Sequence, residues 1–201
     1  MSPSAEGSDL NPKAYVYGYD GVEVSDAKNT LEYHQFGALY NFPAVQQWDL
    51  CPSGWHVPTD LEWLEMTNSL GSFYFRGNLM KVNFSKMSIL NASDDIDILG
   101  CTDVEACNYN PNAIDDDGSC YFGLCSDGWK GTNLSGFSGL PGGYIGGDGF
   151  FYAEDIGKWW SSSTDGIGAY SRGLDRSAEL VTGGNYLRRY GFSVRCVRDA
   201  E

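Results

Sequence analysis

The chain has 201 residues, a length that suits one large domain or one domain carrying a sizeable insert. Aromatic residues make up 14% of it and glycine contributes 26 positions, which points to short strands joined by glycine turns rather than to long helices. A formal net charge of −14 argues against a nucleic-acid partner, because phosphate contacts need clustered Lys and Arg.

Residues 1–13 are small, polar and proline-containing, and are expected to be a disordered lead-in to a domain spanning 14–201. From Ala14 the alternation Tyr-Val-Tyr-Gly-Tyr-Asp-Gly-Val-Glu-Val predicts a strand, a turn at Asp20-Gly21 and a second strand. Gly37 to Val45 is apolar and aromatic enough to be buried. A helix is predicted over 60–70. Thr59 and Glu62 have capping-box spacing, Leu61, Leu64 and Leu70 share an inward side with Trp63, and Gly71 supplies the stop.

Residues 84–127 break the pattern and are read as an insert. The stretch 94–120 holds eight acidic residues and no Lys, Arg or His, and Cys101, Cys107, Cys120 and Cys125 cluster in or beside it. Six cysteines in all, an even number, favour disulfides and an extracellular destination, at a cell or virion surface. The insert spacings of six, thirteen and five lack the C-x2-C pairs of a zinc site. Oxygen donors recur at Asp103, Asn108, Asn110, Asn112, Asp115, Asp116 and Asp117, followed by Gly118, which suits a hard cation such as calcium in a structural role. The bidentate Glu of an EF-hand loop is absent, so such a site would be built differently. Beyond the insert, strands are predicted at 150–152, 158–162, 170–174, 179–181 and 192–197. No span is long enough to cross a membrane, and Met1-Ser2-Pro3-Ser4-Ala5-Glu6 lacks a leader pattern.

Several motifs occur in a fixed order: Gly37-Ala38-Leu39-Tyr40-Asn41, Cys51-Pro52-Ser53-Gly54-Trp55-His56-Val57-Pro58-Thr59, Ser135-Gly136-Phe137, Leu140-Pro141-Gly142-Gly143-Tyr144, Trp159-Trp160-Ser161-Ser162 and Gly191-Phe192-Ser193-Val194-Arg195-Cys196-Val197-Arg198. Together they resemble the Fibrobacter major paralogous domain, a relative of the formylglycine-generating, sulfatase-modifying fold. The resemblance implies an α+β, C-type-lectin-like fold of short antiparallel strands with one or two helices, carrying the disulfide-rich insert. It also implies that Cys51 pairs with Cys196; the four insert cysteines would pair among themselves in one of three ways.

The chain also resembles the variable proteins of diversity-generating retroelements, whose mutable positions precede a fixed Gly-Phe-x-Val-x-Cys ending. Randomising the adenines of AAC or AAT codons cannot yield Lys, Glu, Gln, Met or Trp, and between Tyr170 and Tyr190 only Glu179 belongs to that set. The resemblance therefore places ligand-binding positions at Tyr170, Ser171, Gly173, Asp175, Arg176, Ala178, Leu180, Thr182, Gly184, Asn185, Tyr186, Leu187, Arg189 and Tyr190. Trp159, Trp160, Arg172 and Arg188 would contribute to the same face, since aromatics and arginines dominate binding hot spots. Trp159–Ser162 and Gly191–Arg198 are read as framework.

Catalysis is not expected. A formylglycine-generating enzyme needs reactive thiols in its C-terminal half, and the one cysteine after Cys125 is Cys196. His56, in its Gly-Trp-His-Val-Pro run, is read as structural rather than as a base for Ser161–Ser163. The expected function is a receptor- or adhesin-type protein that binds a protein or cell-surface ligand. A calcium-assisted carbohydrate adhesin and a degenerate sulfatase-modifying enzyme are the alternatives. The usual lectin sugar triplets are absent, so a glycan would be held differently.

Overall fold

The computed structural model describes residues 7–71, 74, 76–82, 99–100, 102–103, 114–116 and 129–199. In chain order these form β1 (Ala14–Tyr15), α1 (Val24–Lys28), α2 (Leu31–Phe36), β2 (Leu39–Asn41), α3 (Phe42–Gln47), α4 (Asp60–Ser69), α5 (Arg76–Met80), β3 (Leu99–Gly100), β4 (Asp115–Asp116), β5 (Gly142–Gly146), β6 (Gly149–Ala153), β7 (Ile156–Thr164), β8 (Gly168–Asp175), β9 (Thr182–Leu187) and β10 (Gly191–Phe192). One sheet runs in the order β1-β2-β10-β5-β7-β8-β9, with β6 added to β5. Its pairings are antiparallel except β5 with β7. The class is α+β, with most strands in that sheet. The sequence predicted one or two helices; the described residues hold five short ones, of which α4 is the longest.

Successive side chains of a strand point to opposite faces, and Trp159 and Trp160 use that rule to anchor two cores. Trp159 packs with Trp63, Met80, Trp129, Phe137 and Leu174 on the α4 side of the sheet. Trp160 packs with Phe42, Ala169 and Phe192 on the other. The indole N–H of Trp160 donates to Tyr40 O at 2.7 Å, so the ring is fixed as well as buried.

The α4 capping box is formed as the sequence indicates, with the Thr59 hydroxyl accepting from Glu62 N–H and the Glu62 carboxylate accepting from Thr59 N–H. The buried stripe differs from the predicted one. Trp63 and Thr67 are buried and Met66 and Leu70 pack beside them, whereas Leu61 is 71% and Leu64 41% exposed. Positions 63, 66, 67 and 70 follow the i, i+3, i+4, i+7 spacing of one helix side, and the two leucines fall off it.

Three other expectations shift. The strand at Ala14 ends after two residues, because the chain turns at once with Tyr19 N–H on Val16 O and Gly18 at φ 70°, and Val24–Lys28 is helical rather than a second strand. The run 179–181 is not a strand; Glu179 O accepts from Gly77 N–H of α5 at 2.6 Å, and pairing with β8 begins only at Thr182. Of 192–197, only Phe192 belongs to β10, and the rest continues through single bridges of Ser193 with Trp159 and Val197 with His56.

Ser8–Lys13, expected to be disordered, are tied down by the buried Asn41. Its side-chain amide donates to Ser8 O and Asn11 O, and its carbonyl accepts from Lys13 N–H. The residues that flank the insert meet. Lys81 lies 5.5 Å from the Trp129 ring centre, and its carbonyl accepts from Asn133 N–H. Cys51 and Cys196 form a disulfide across 145 residues, tying the approach to α4 to the last segment of the chain.

Candidate ligand-binding face

The register of β7, β8 and β9 decides where each C-terminal side chain goes. Lys158 is opposite Gly173, which is opposite Thr182; Trp160, Ser171 and Gly184 form the next row, and Ala169 and Tyr186 the next. These share one face. Trp159, Arg172 and Gly183 lie on the other, with Tyr170 opposite Asn185 and Gly168 opposite Leu187. The candidate positions are thus split between both faces of the sheet.

Burial divides them again. Ser171 and Gly173 are enclosed in the middle strand, while Arg176, Thr182, Asn185, Leu187 and Arg189 are exposed. Tyr170, Asp175, Ala178, Leu180, Gly184, Tyr186 and Tyr190 are half-buried. Trp159, Trp160 and Arg172 are buried, and Arg172 forms a 2.5 Å ion pair with Asp60 in the first turn of α4. Arg176 pairs with Asp155 at 3.0 Å and Arg189 with Asp9 at 3.1 Å. Arg188 donates to Gln46 and stacks over Phe42. Arg195 donates to Phe137 O and stacks on that ring.

The turn that leads into β9 is held from beneath. Buried Lys81 donates to Asp175 O at 3.0 Å and Ala178 O at 2.9 Å. Burial lowers its pKa from the usual lysine value, an effect opposed by the nearby Asp175 and Glu179 charges. At the other end, the Asp165 carboxylate accepts from Ile167 N–H, Gly168 N–H and the Asn185 side chain.

On the Lys158 face, side chains outside the predicted set join Tyr186 and Tyr190. The Lys158 ammonium lies 2.5 Å from Tyr186 Oη and 3.9 Å from that ring's centre, with the Tyr144 and Phe192 centres at 5.4 and 5.5 Å. Tyr144 stacks with Phe151, its cross-strand partner, at 5.5 Å, and Tyr152 lies 6.0 Å from both. No local signal marks this group, since it is assembled from β5, β6, β7 and β9.

Of the metal candidates, Asp103, Asp115 and Asp116 are exposed, and Thr102 donates to Asp116 at 3.4 Å. Asn108, Asn110, Asn112, Asp117 and Cys101, Cys107, Cys120 and Cys125 lie outside the described residues. Among the described residues, the His, Asp and Glu side chains that converge in a group of three are His56, Glu62 and Asp199. His56 Nε2 is 2.7 Å from Glu62 Oε1, so this histidine is held by the residue that closes the α4 capping box. Ser161 and Ser163 accept the backbone N–H groups of Ser163 and Asp60. No described helix is long and apolar enough to cross a membrane.

No curated protein and no solved structure matches the chain. The model of the Fibrobacter succinogenes major domain matches residues 2–198, and the chain belongs to that family.

Proposed function

We propose that this is a non-enzymatic binding protein with a C-type-lectin-like fold, displayed outside the cell or on a virion, which presents a variable ligand face on its C-terminal segment in the manner of diversity-generating retroelement variable proteins. One observation carries the reading: five of the fourteen candidate positions are exposed beside a buried framework. Arg176, Thr182, Asn185, Leu187 and Arg189 are exposed, while the flanking framework residues Trp159, Trp160 and Phe192 are buried. Exposed positions on the edge strand β9 and in the turns beside it can vary in sequence at little cost to packing. Pairing of β10, near the C-terminus, with β2, and the Cys51–Cys196 disulfide, support the C-type-lectin-like assignment. That disulfide also occupies the cysteine an enzyme of the sulfatase-modifying class would need. The ligand in this reading is a protein or glycan of a cell surface.

The same reading assigns structural calcium to the acidic insert, where calorimetry is the check. Absence of both heat and a gain in melting temperature at millimolar calcium would remove the ion. Sequencing the gene neighbourhood tests the variable-protein reading. A template copy of the codons for residues 170–190, differing only at adenines, is expected, and its absence would remove the retroelement.

A further inference from the structure

Lys158 is enclosed by aromatic rings rather than by acids. Among the described residues no carboxylate forms an ion pair with it, whereas Arg172, Arg176 and Arg189 each have one. Its ammonium donates to the Tyr186 phenol, and an ammonium has three donors. Tyr144, Tyr186 and buried Phe192 flank the ammonium; Phe151 and Tyr152 extend the aromatic surface beyond Tyr144, and Tyr190 extends it beyond Tyr186 and Phe192. The phenols of Tyr152, Tyr186 and Tyr190 lie near enough to Tyr144 to raise its pKa, after burial itself.

This aromatic surface is held in place at some conformational cost. Tyr152 is 53% exposed and takes a left-handed backbone conformation, φ 57°, which a bulky residue rarely adopts. Neighbouring strand residues ordinarily point to opposite faces, yet its ring lies 6.0 Å from that of Phe151. Gly143, on the partner strand between the Gly142–Ala153 and Tyr144–Phe151 pairs, is also left-handed, and a Cβ there would stand 2.6 Å from Phe151 O. An exposed aromatic held against backbone preference is better explained by a surface contact than by packing.

We infer that this cup binds an anionic sugar residue, with the Lys158 ammonium taking its carboxylate or sulfate and the Tyr144, Phe151 and Tyr152 rings stacking on its C–H face. The inference rests on the binding-protein reading and names its ligand class. The chemistry selects the occupant. Lys158 already fills the aromatic cage, which excludes a second cation. Its charge calls for an anion, and ammonium–carboxylate hydrogen bonds are the strong kind. The negative ring faces attract the partly positive C–H groups of a pyranose, and the phenols can exchange hydrogen bonds with its hydroxyls. An acidic peptide shares only the charge.

The test is a glycan array probed with the full chain. It carries uronate-, sialate- and sulfate-bearing sugars, each beside its neutral counterpart, and a glutamate-rich peptide. Acidic members should bind at least about tenfold more tightly than their neutral counterparts, the scale of one charge-assisted hydrogen bond. Lys158→Met and Tyr152→Gly should each remove that preference. Because Lys158 is half-buried, Tyr152→Gly is the decisive variant; its melting temperature should be unchanged or higher, since glycine accepts φ 57° without strain. Equal binding of acidic and neutral sugars, preference for the peptide, or full binding by a folded Tyr152→Gly chain would overturn the inference. A triple change at Thr182, Asn185 and Leu187 separates the two readings. If it abolishes binding that Tyr152→Gly leaves intact, the variable face stands and the cup falls; the reverse result keeps the cup and removes the variable face.

Discussion

The Tyr186 ring lies across the place where a side chain on Gly184 would begin, with Cε2 2.6 Å from the position of an added Cβ. The two residues are on the same face of β9, two apart, so the missing side chain is what allows the ring to lie flat toward Lys158. Gly184→Ala should swing Tyr186 away, break its 2.5 Å contact with Lys158 and cost about 1 kcal/mol of stability. Aromatic proton shifts of Tyr186 and Phe192 are the measurement; unchanged shifts would show that the ring is held by other contacts.

Arg172 and Asp60 should be costly to separate. The guanidinium side chain is 9% exposed and ties the middle of β8 to the first turn of α4. Asp60→Ala leaves that charge buried without its carboxylate and should destabilise by about 2–3 kcal/mol, discounted from a fully buried pair because Asp60 is 26% exposed. Denaturant unfolding gives the number, and a change below about 0.5 kcal/mol would reduce the pair to a surface one.

The Glu62 carboxylate sets a pH dependence. Burial raises its pKa, but hydrogen bonds from the Thr59 backbone and hydroxyl and from His56, with the His56 charge, bring it below the ordinary 4.5. A folded value lower than the unfolded one stabilises fully above about pH 4.5, and that contribution is lost as pH falls through the folded value. Melting temperature followed downward from pH 6 should therefore drop more steeply for the parent than for Glu62→Gln. Parallel curves would mean that the capping box does not depend on the charge.

The Cys51–Cys196 disulfide closes a loop of 145 residues, and its loss should cost about 4–5 kcal/mol by the chain-entropy estimate. Comparing the parent with Cys51→Ala/Cys196→Ala in denaturant checks this. A loss under about 1 kcal/mol would place the constraint in the β2–β10 pairing instead.

What the sequence revealed was mostly local. The Thr59–Glu62 box could be read because both partners lie within one turn, whereas Trp159 and Trp160, assigned together to one face, are sent to opposite faces by strand alternation. The α4 stripe was harder, because three leucines at nearly helical spacing outweighed Thr67, a polar residue whose hydroxyl donates to Trp63 O and so can be buried. The run 179–181 has strand composition, but Gly77 leaves room for it to lie against α5, and that contact is tertiary. The candidate face shows the same limit. Codon logic marked the segment Tyr170–Tyr190 without regard to the period-two register that sends Tyr170 and Tyr186 to opposite faces. Lys158, Tyr144 and Tyr152 went unmarked because only the sheet brings them together, and nothing in the sequence announces a left-handed tyrosine.

The central claim is a scaffold whose exposed C-terminal side chains vary without disturbing the fold, and a displayed library tests it most directly. Arg176, Thr182, Asn185, Leu187 and Arg189 would be randomised together, and Ser171, Gly173 and Gly184 in a parallel library, with survival of a heat challenge scored by sequencing. Most members of the first library should survive near the parent's melting temperature and most of the second should not. Equal collapse of the two libraries would contradict the claim.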